Sequence, residues 1–179
     1  MKILITILLL VGVSSSFAND SIKQTESFMK IYSSLCIKHV NNLDVLRNKL
    51  SSIPKLPANK SSLFLSGSEG SAWPVPDKNG TFVVAIPNKQ NICMVFARRA
   101  DTASAENMFA NLFSKAKSPL ESKLIKDEYK TTNTNGKTHS LSYEWSIPKA
   151  SKAMMFMLTT ASSDKANLQL MASASIIQK

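Results

Sequence analysis

Histidine, cysteine and glycine are scarce in this chain of 179 residues, at two, two and five copies. With His39 and His139 as the only imidazoles, a serine or cysteine nucleophile has few bases to activate it, which argues against triad chemistry. Past the N-terminal region no window holds the roughly 20 apolar residues of a spanning helix, so no transmembrane segment is expected in the mature chain. The formal net charge is +10, yet no dense Lys/Arg tract marks a nucleic-acid arm. The G-x-S-x-G elbow and the Lys-Thr-Gly motif are both missing.

What is present starts at the N-terminus. Lys2, the apolar run 3–13 and the small-x-small site Ser16-Phe17-Ala18 have the layout of a secretory signal peptide cleaved after Ala18. The rival, a retained anchor, needs about 20 apolar residues, and the run is too short for it. No cysteine follows where a lipid-modified N-terminus would need one. The expected organisation is a signal peptide over 1–18 and one α+β domain over 19–179, periplasmic or secreted. Losing Lys2 lowers the net charge by one, to +9. A basic exported surface suits an anionic surface or a protein partner rather than nucleic acid, and leaves the oligomeric state open.

That address also decides the cysteines. Cys36 and Cys93 are expected to form a disulfide in an oxidising compartment. The alternative, a metal set of Cys36, His39, Cys93 and His139, needs thiolates that oxidation removes. Neither a metal nor another cofactor is expected.

Phe28, Tyr32, Leu35, His39, Leu43, Leu46 and Leu50 recur at helical spacing, with a break at Asn41-Asn42 and a stop at Pro54 and Pro57. His39 reads as a core or boundary residue. The Ser/Pro/Lys-rich stretch 51–71 is expected to be a surface connection pinned by Leu63-Phe64-Leu65. Residues 71–75 and 82–86 suit a hairpin with a tight turn at Asn79-Gly80. Pro74 and Pro76 confine the first of these strands to an edge. The nearly continuous apolar runs 82–86 and 92–97 predict central strands, which would staple the first helix to the sheet through Cys93. Ala72-Trp73-Pro74, Gly80-x-Phe82-Val83-x-Ala85-x-Pro87, Cys93 and Ala97-Arg98-Arg99-Ala100 resemble a family of small, exported, uncharacterised proteobacterial proteins over about residues 72–101. The resemblance implies export and the hairpin; it implies no catalytic residue.

Asp101 or Thr102 caps a helix expected to reach Lys117. Residues 121–130 and 138–147 predict a second hairpin, the returning strand placing His139, Leu141, Tyr143, Trp145 and Ile147 on one face. Residues 152–160 predict a buried strand. The segment 168–177 alternates as a strand does, but Ser163-Asp164 and the Ala, Leu, Gln and Met content favour a helix. The expected fold class is therefore α+β: an antiparallel sheet of about five or six strands with an N-terminal, a middle and a C-terminal helix packed on it.

Candidate chemistry is thin. Ser66-Gly67-Ser68-Glu69-Gly70 lacks elbow spacing, and Gly136-Lys137-Thr138 lacks the first glycine of a phosphate loop. The Ser-x-x-Lys pairs at Ser52 and Ser114 recur by chance in a chain rich in both residues. Binding is left: Arg98 and Arg99 end a strand just before a helix N-terminus, where an anion meets guanidinium and amide donors, and Trp73 offers an apolar contact. The edge strand adds β-addition of a peptide as a second mode. The functional expectation is an exported, non-catalytic binding or accessory protein of the bacterial envelope. Its alternatives are a secreted effector-like factor contacting host membranes or proteins through a basic surface, and a small secreted hydrolase.

Overall fold

The computed structural model describes residues 15–179. The apolar run and most of the predicted signal peptide lie outside the described residues. The first helix, α1 (Ser15–Ile31), continues without a break into a π-helical stretch, Tyr32–Ile37. Tyr32 and Cys36, four residues apart and so on one face, are both buried. Asn42 then caps α2 (Leu43–Leu50) by accepting the Val45 amide at 3.3 Å, so the break falls at the predicted asparagines. Phe28, Tyr32, Leu43, Leu46 and Leu50 are all buried in the main core.

Seven strands form one antiparallel sheet: β1 (Gly70–Val75), β2 (Phe82–Pro87), β3 (Ile92–Ala97), β4 (Glu121–Thr132), β5 (Gly136–Ser146), β6 (Lys152–Ala161) and β7 (Leu170–Gln178). Their order is β1-β2-β3-β7-β6-β5-β4. The α+β class stands, but the sheet has seven strands rather than five or six.

The additional strand is β7, where a C-terminal helix was expected. It lies in mid-sheet, paired with β3 on one side and β6 on the other. A helix there would leave the inner edges of two buried strands without partners, a cost that outweighs residue propensity. Leu170, Ala172 and Ala174 point into the main core at period two. The Ser163 hydroxyl accepts the Lys165 amide at 3.2 Å, a local bond that serves a turn here as it would serve a helix cap.

Three further boundaries differ. The connection 51–71 contains a helix, α3 (Ala58–Leu65), ended by Ser66 and Gly67 in left-handed conformations (φ 50 and 80°). The β1–β2 hairpin forms, but neither Asn79 nor Gly80 takes a positive φ. The longer loop is instead shaped by Asp77, which accepts the Asn79 amide, and by Asn79, which donates to Ser27 Oγ, both at 2.8 Å. The middle helix, α4 (Thr102–Phe113), stops short of Lys117. The Phe113 carbonyl accepts Ser122 Oγ at 2.6 Å and Trp145 Nε1 at 2.8 Å, so β4 and β5 side chains occupy the helix end.

The two sheet faces differ in cover. The main core lies between one face and the helical layer of α1, α2 and α4, with Phe109, Phe113 and Phe156 near its centre. Cys36 is bonded to Cys93 of β3 across a Cα separation of 5.3 Å, fastening the N-terminal helix to the sheet. Such a cross-link contributes about 4 kcal/mol in the chain-entropy account. On the other face α3 buries Leu65 against Ala72, Val83, Ala85 and Phe96 in a smaller core.

Candidate functional site

The end of β3 separates the two predicted arginines. Phe96 belongs to the smaller core and Ala97 to the main one, so strand alternation sends Arg98 and Arg99 to opposite faces. Each lines a different cleft. Trp73 does not join them at the surface. It is buried in the main core at 1% exposure, its ring under Lys55 Nζ at 5.6 Å.

Arg99 is a structural clamp. Its Nη1 donates to the carbonyls of Arg98 and Ala166, at 2.7 and 2.8 Å. Beside it, Gln169 Oε1 accepts the Ala100 amide at 3.0 Å. Together these hold the turn before β7 against the end of β3. Asp101 is committed as the α4 cap, accepting the Ser104 amide at 2.7 Å, and pairs with no arginine among the described residues.

Arg98 is exposed, and its guanidinium makes no hydrogen bond or ion pair among the described residues; only its carbonyl is engaged, by Arg99. It stands at the rim of a cleft of about 540 Å³ formed where α3 overhangs β2 and β3. Phe64, Val83, Phe96 and Leu168 supply the apolar lining, and Asn135 of the β4–β5 turn also lines the cleft. Phe64 and Phe96 meet edge to face at 5.1 Å, which gives the wall a fixed shape. An uncommitted guanidinium beside an apolar hollow suits a ligand group with a hydrophobic body and an anionic end.

A second cluster unites residues far apart in sequence. His139 Nε2 lies 2.8 Å from Asp127 Oδ1 of β4 in a hydrogen bond. Nδ1 lies 3.0 Å from Glu106 Oε2 of α4, an ion-pair distance off the N–H axis. Thr160 of β6 donates to Glu106. The Tyr129 ring stacks on the imidazole at 4.0 Å, nearly parallel, with Lys137 Nζ 4.8 Å from the Tyr129 centroid. Burial by itself lowers the His139 pKa, but the hydrogen bond to Asp127 and the nearby charges of Glu106 and Asp127 outweigh it and raise the pKa above its ordinary value. In its protonated form the imidazole stands between two carboxylates and lacks the lone pair that a general base needs. The cluster fastens α4, β4 and β5 to one another.

The sequence places His139 on the apolar face of its strand but does not bring these partners to it. Part of the cluster was available from hairpin pairing, since His139 lies directly opposite Tyr129 and diagonal to Asp127. Glu106, on a helix, gives no such signal. The metal set of Cys36, His39, Cys93 and His139 does not assemble, because both cysteines are in the disulfide. Among the described residues no group of three or more His, Cys, Asp or Glu is arranged to hold a metal ion. His39 Nε2 is buried without a hydrogen-bond partner among the described residues. Burial first, then the charges of Lys49 and Lys38, lower its pKa.

The remaining motifs are structural. Ser66-Gly67 terminates α3, and Gly136 takes φ 67° beside the turn 133–135. Edge strand β1 carries Pro74, as expected, but Leu56 donates to the Ala72 carbonyl at 2.8 Å, occupying an acceptor that an added strand would need. No protein-family model matches the chain, and no curated protein matches it in sequence.

Proposed function

We propose that this chain is an exported, non-catalytic binding or accessory protein of a bacterial envelope, taking a ligand or protein segment with an apolar body and an anionic group in the cleft beneath α3. The single observation that carries the reading is Arg98, whose guanidinium has no internal partner and stands beside Phe64, Val83, Phe96 and Leu168. A neighbouring buried acid would have absorbed that charge; here it is left for a visitor. The export half of the proposal rests on the N-terminal layout of Lys2, the apolar run and Ala18, and the disulfide is compatible with an oxidising compartment.

Dodecanoate is a suitable probe, since it presents a carboxylate on an apolar chain. Titration followed by calorimetry is expected to detect binding that Arg98→Glu weakens about ten- to hundredfold, the range for losing a charge-assisted hydrogen bond. Circular dichroism should stay unchanged, because Arg98 holds nothing in place. Equal binding by the wild type and the variant would remove Arg98 from the site. The convergence of His139, Glu106 and Asp127 is what would favour a small hydrolase instead, although both carboxylates favour the protonated imidazole, which fastens elements rather than abstracting a proton.

A further inference from the structure

The opposite end of the sheet carries a separate feature. Edge strand β4 is 12 residues long, about 40 Å at 3.4 Å per residue, and its outer edge faces no other strand. Leu124, Ile125 and Tyr129 are 48, 44 and 62% exposed along it. An edge of this length presents free backbone donors and acceptors for pairing.

The charges on β4 choose a partner. Pairing with β5 is interrupted by a bulge between Leu124 and Lys126, which shifts the alternation by one residue. As a result Glu121, Lys123, Lys126, Glu128 and Lys130 all lie on one face, opposite Ser146, Glu144, Ser142, Ser140 and Thr138. Place a second β4 antiparallel beside the first about a two-fold axis between Ile125 and Lys126. Glu121 then stands opposite Lys130 of the second copy, and Lys123 opposite its Glu128, each contact occurring twice by symmetry. On the reverse face Ser122 meets Tyr129 and Leu124 meets Asp127. Slipping two residues one way sets Glu121 against Glu128 and Lys123 against Lys126; slipping two the other way sets Lys123 against Lys130. Both neighbouring registers juxtapose like charges, which is destabilising. Without the bulge, the complementary residues would lie on opposite faces.

We infer that β4 is a self-association edge: two copies of this chain pair antiparallel through it, in that one register, joining their sheets. Within one chain Glu128 lies 3.3 Å from Lys126 and 3.6 Å from Lys130, whereas Glu121 and Lys123 make no ion pair among the described residues and are exposed. Lysines and bulges ordinarily keep edges from pairing indiscriminately; here the same devices select one register.

Sedimentation velocity of the purified protein over a concentration series tests this. The wild type is expected to form a dimer that rising salt weakens. Glu121→Lys with Glu128→Lys puts lysine against lysine and should weaken the dimer at least about tenfold, and Lys123→Glu with Lys130→Glu should do the same. All four changes together reverse every pair and restore the dimer, while circular dichroism stays constant throughout. A wild type that is monomeric at every concentration, a dimer unaffected by either double substitution, or a fourfold variant that stays dissociated would each overturn the inference.

Discussion

The two ends of the sheet are built on different physics. At one end, every residue of β2 is buried, with the helical layer on one side and α3 on the other. At the other end, β4 has no fully buried residue and is held by its ladder to β5 and by side-chain ties. The ties are polar: Asp127 and Glu106 to His139, and Ser122 to the Phe113 carbonyl. Stability from apolar burial is insensitive to pH, whereas stability from a charged histidine is not. The candidate cleft sits on the doubly covered end, where its wall is held rigid; the pairing edge sits on the fastened end.

Substitutions at the two ends should separate these mechanisms by size. The largest effect is expected from Phe109→Ala, a fully buried ring touching Tyr32, Phe113 and Tyr143. It should cost about 3–5 kcal/mol in urea unfolding. Replacing Cys36 and Cys93 together with alanine frees the N-terminal helix from β3 and should cost about 2–5 kcal/mol by the same assay.

The pH response is smaller and comes from two histidines of opposite sign. The His139 pKa is raised on folding, so its stabilisation is complete below about 6.5 and is lost as pH rises through the folded value. The His39 pKa is lowered, so its neutral form is favoured in the fold and stability falls as pH drops below about 6.5. The melting temperature should therefore peak near pH 6.5. His139→Gln should flatten the alkaline slope alone, and His39→Gln the acidic slope alone; a slope that survives its own substitution contradicts the assignment. The smallest effect is expected on β4, where Ile125→Ala should change unfolding stability by no more than about 0.5 kcal/mol in dilute solution.

The same contrast explains what could be read from the chain. The buried end was legible because apolar runs such as 82–86 and 92–97 leave no choice but a covered strand, and Pro74 marked its edge. The disulfide followed from the cysteine count and the compartment that the N-terminal residues lead one to expect. Strand β7 was not legible, because Leu168 to Ile176 satisfy both periods and only the empty place between β3 and β6 decides between them. The end of α4 depended on Ser122 and Trp145, which no helix signal encodes. At the site, Arg98 was named but its companions were not. Phe64 and Leu168 reach the cleft from a helix and a turn that the residue pattern alone did not place there.

Residue-resolved native-state hydrogen exchange, comparing the wild type with His139→Gln near pH 6, tests the central claim that one end is held by burial and the other by a charged fastening. Amides of β2, β3 and β7 are expected to exchange only through global unfolding, those of β4 through a lower-energy opening, and the substitution should ease the β4 opening while leaving β2 at the new global limit. Exchange of β4 and β2 as one cooperative unit in both proteins would contradict it.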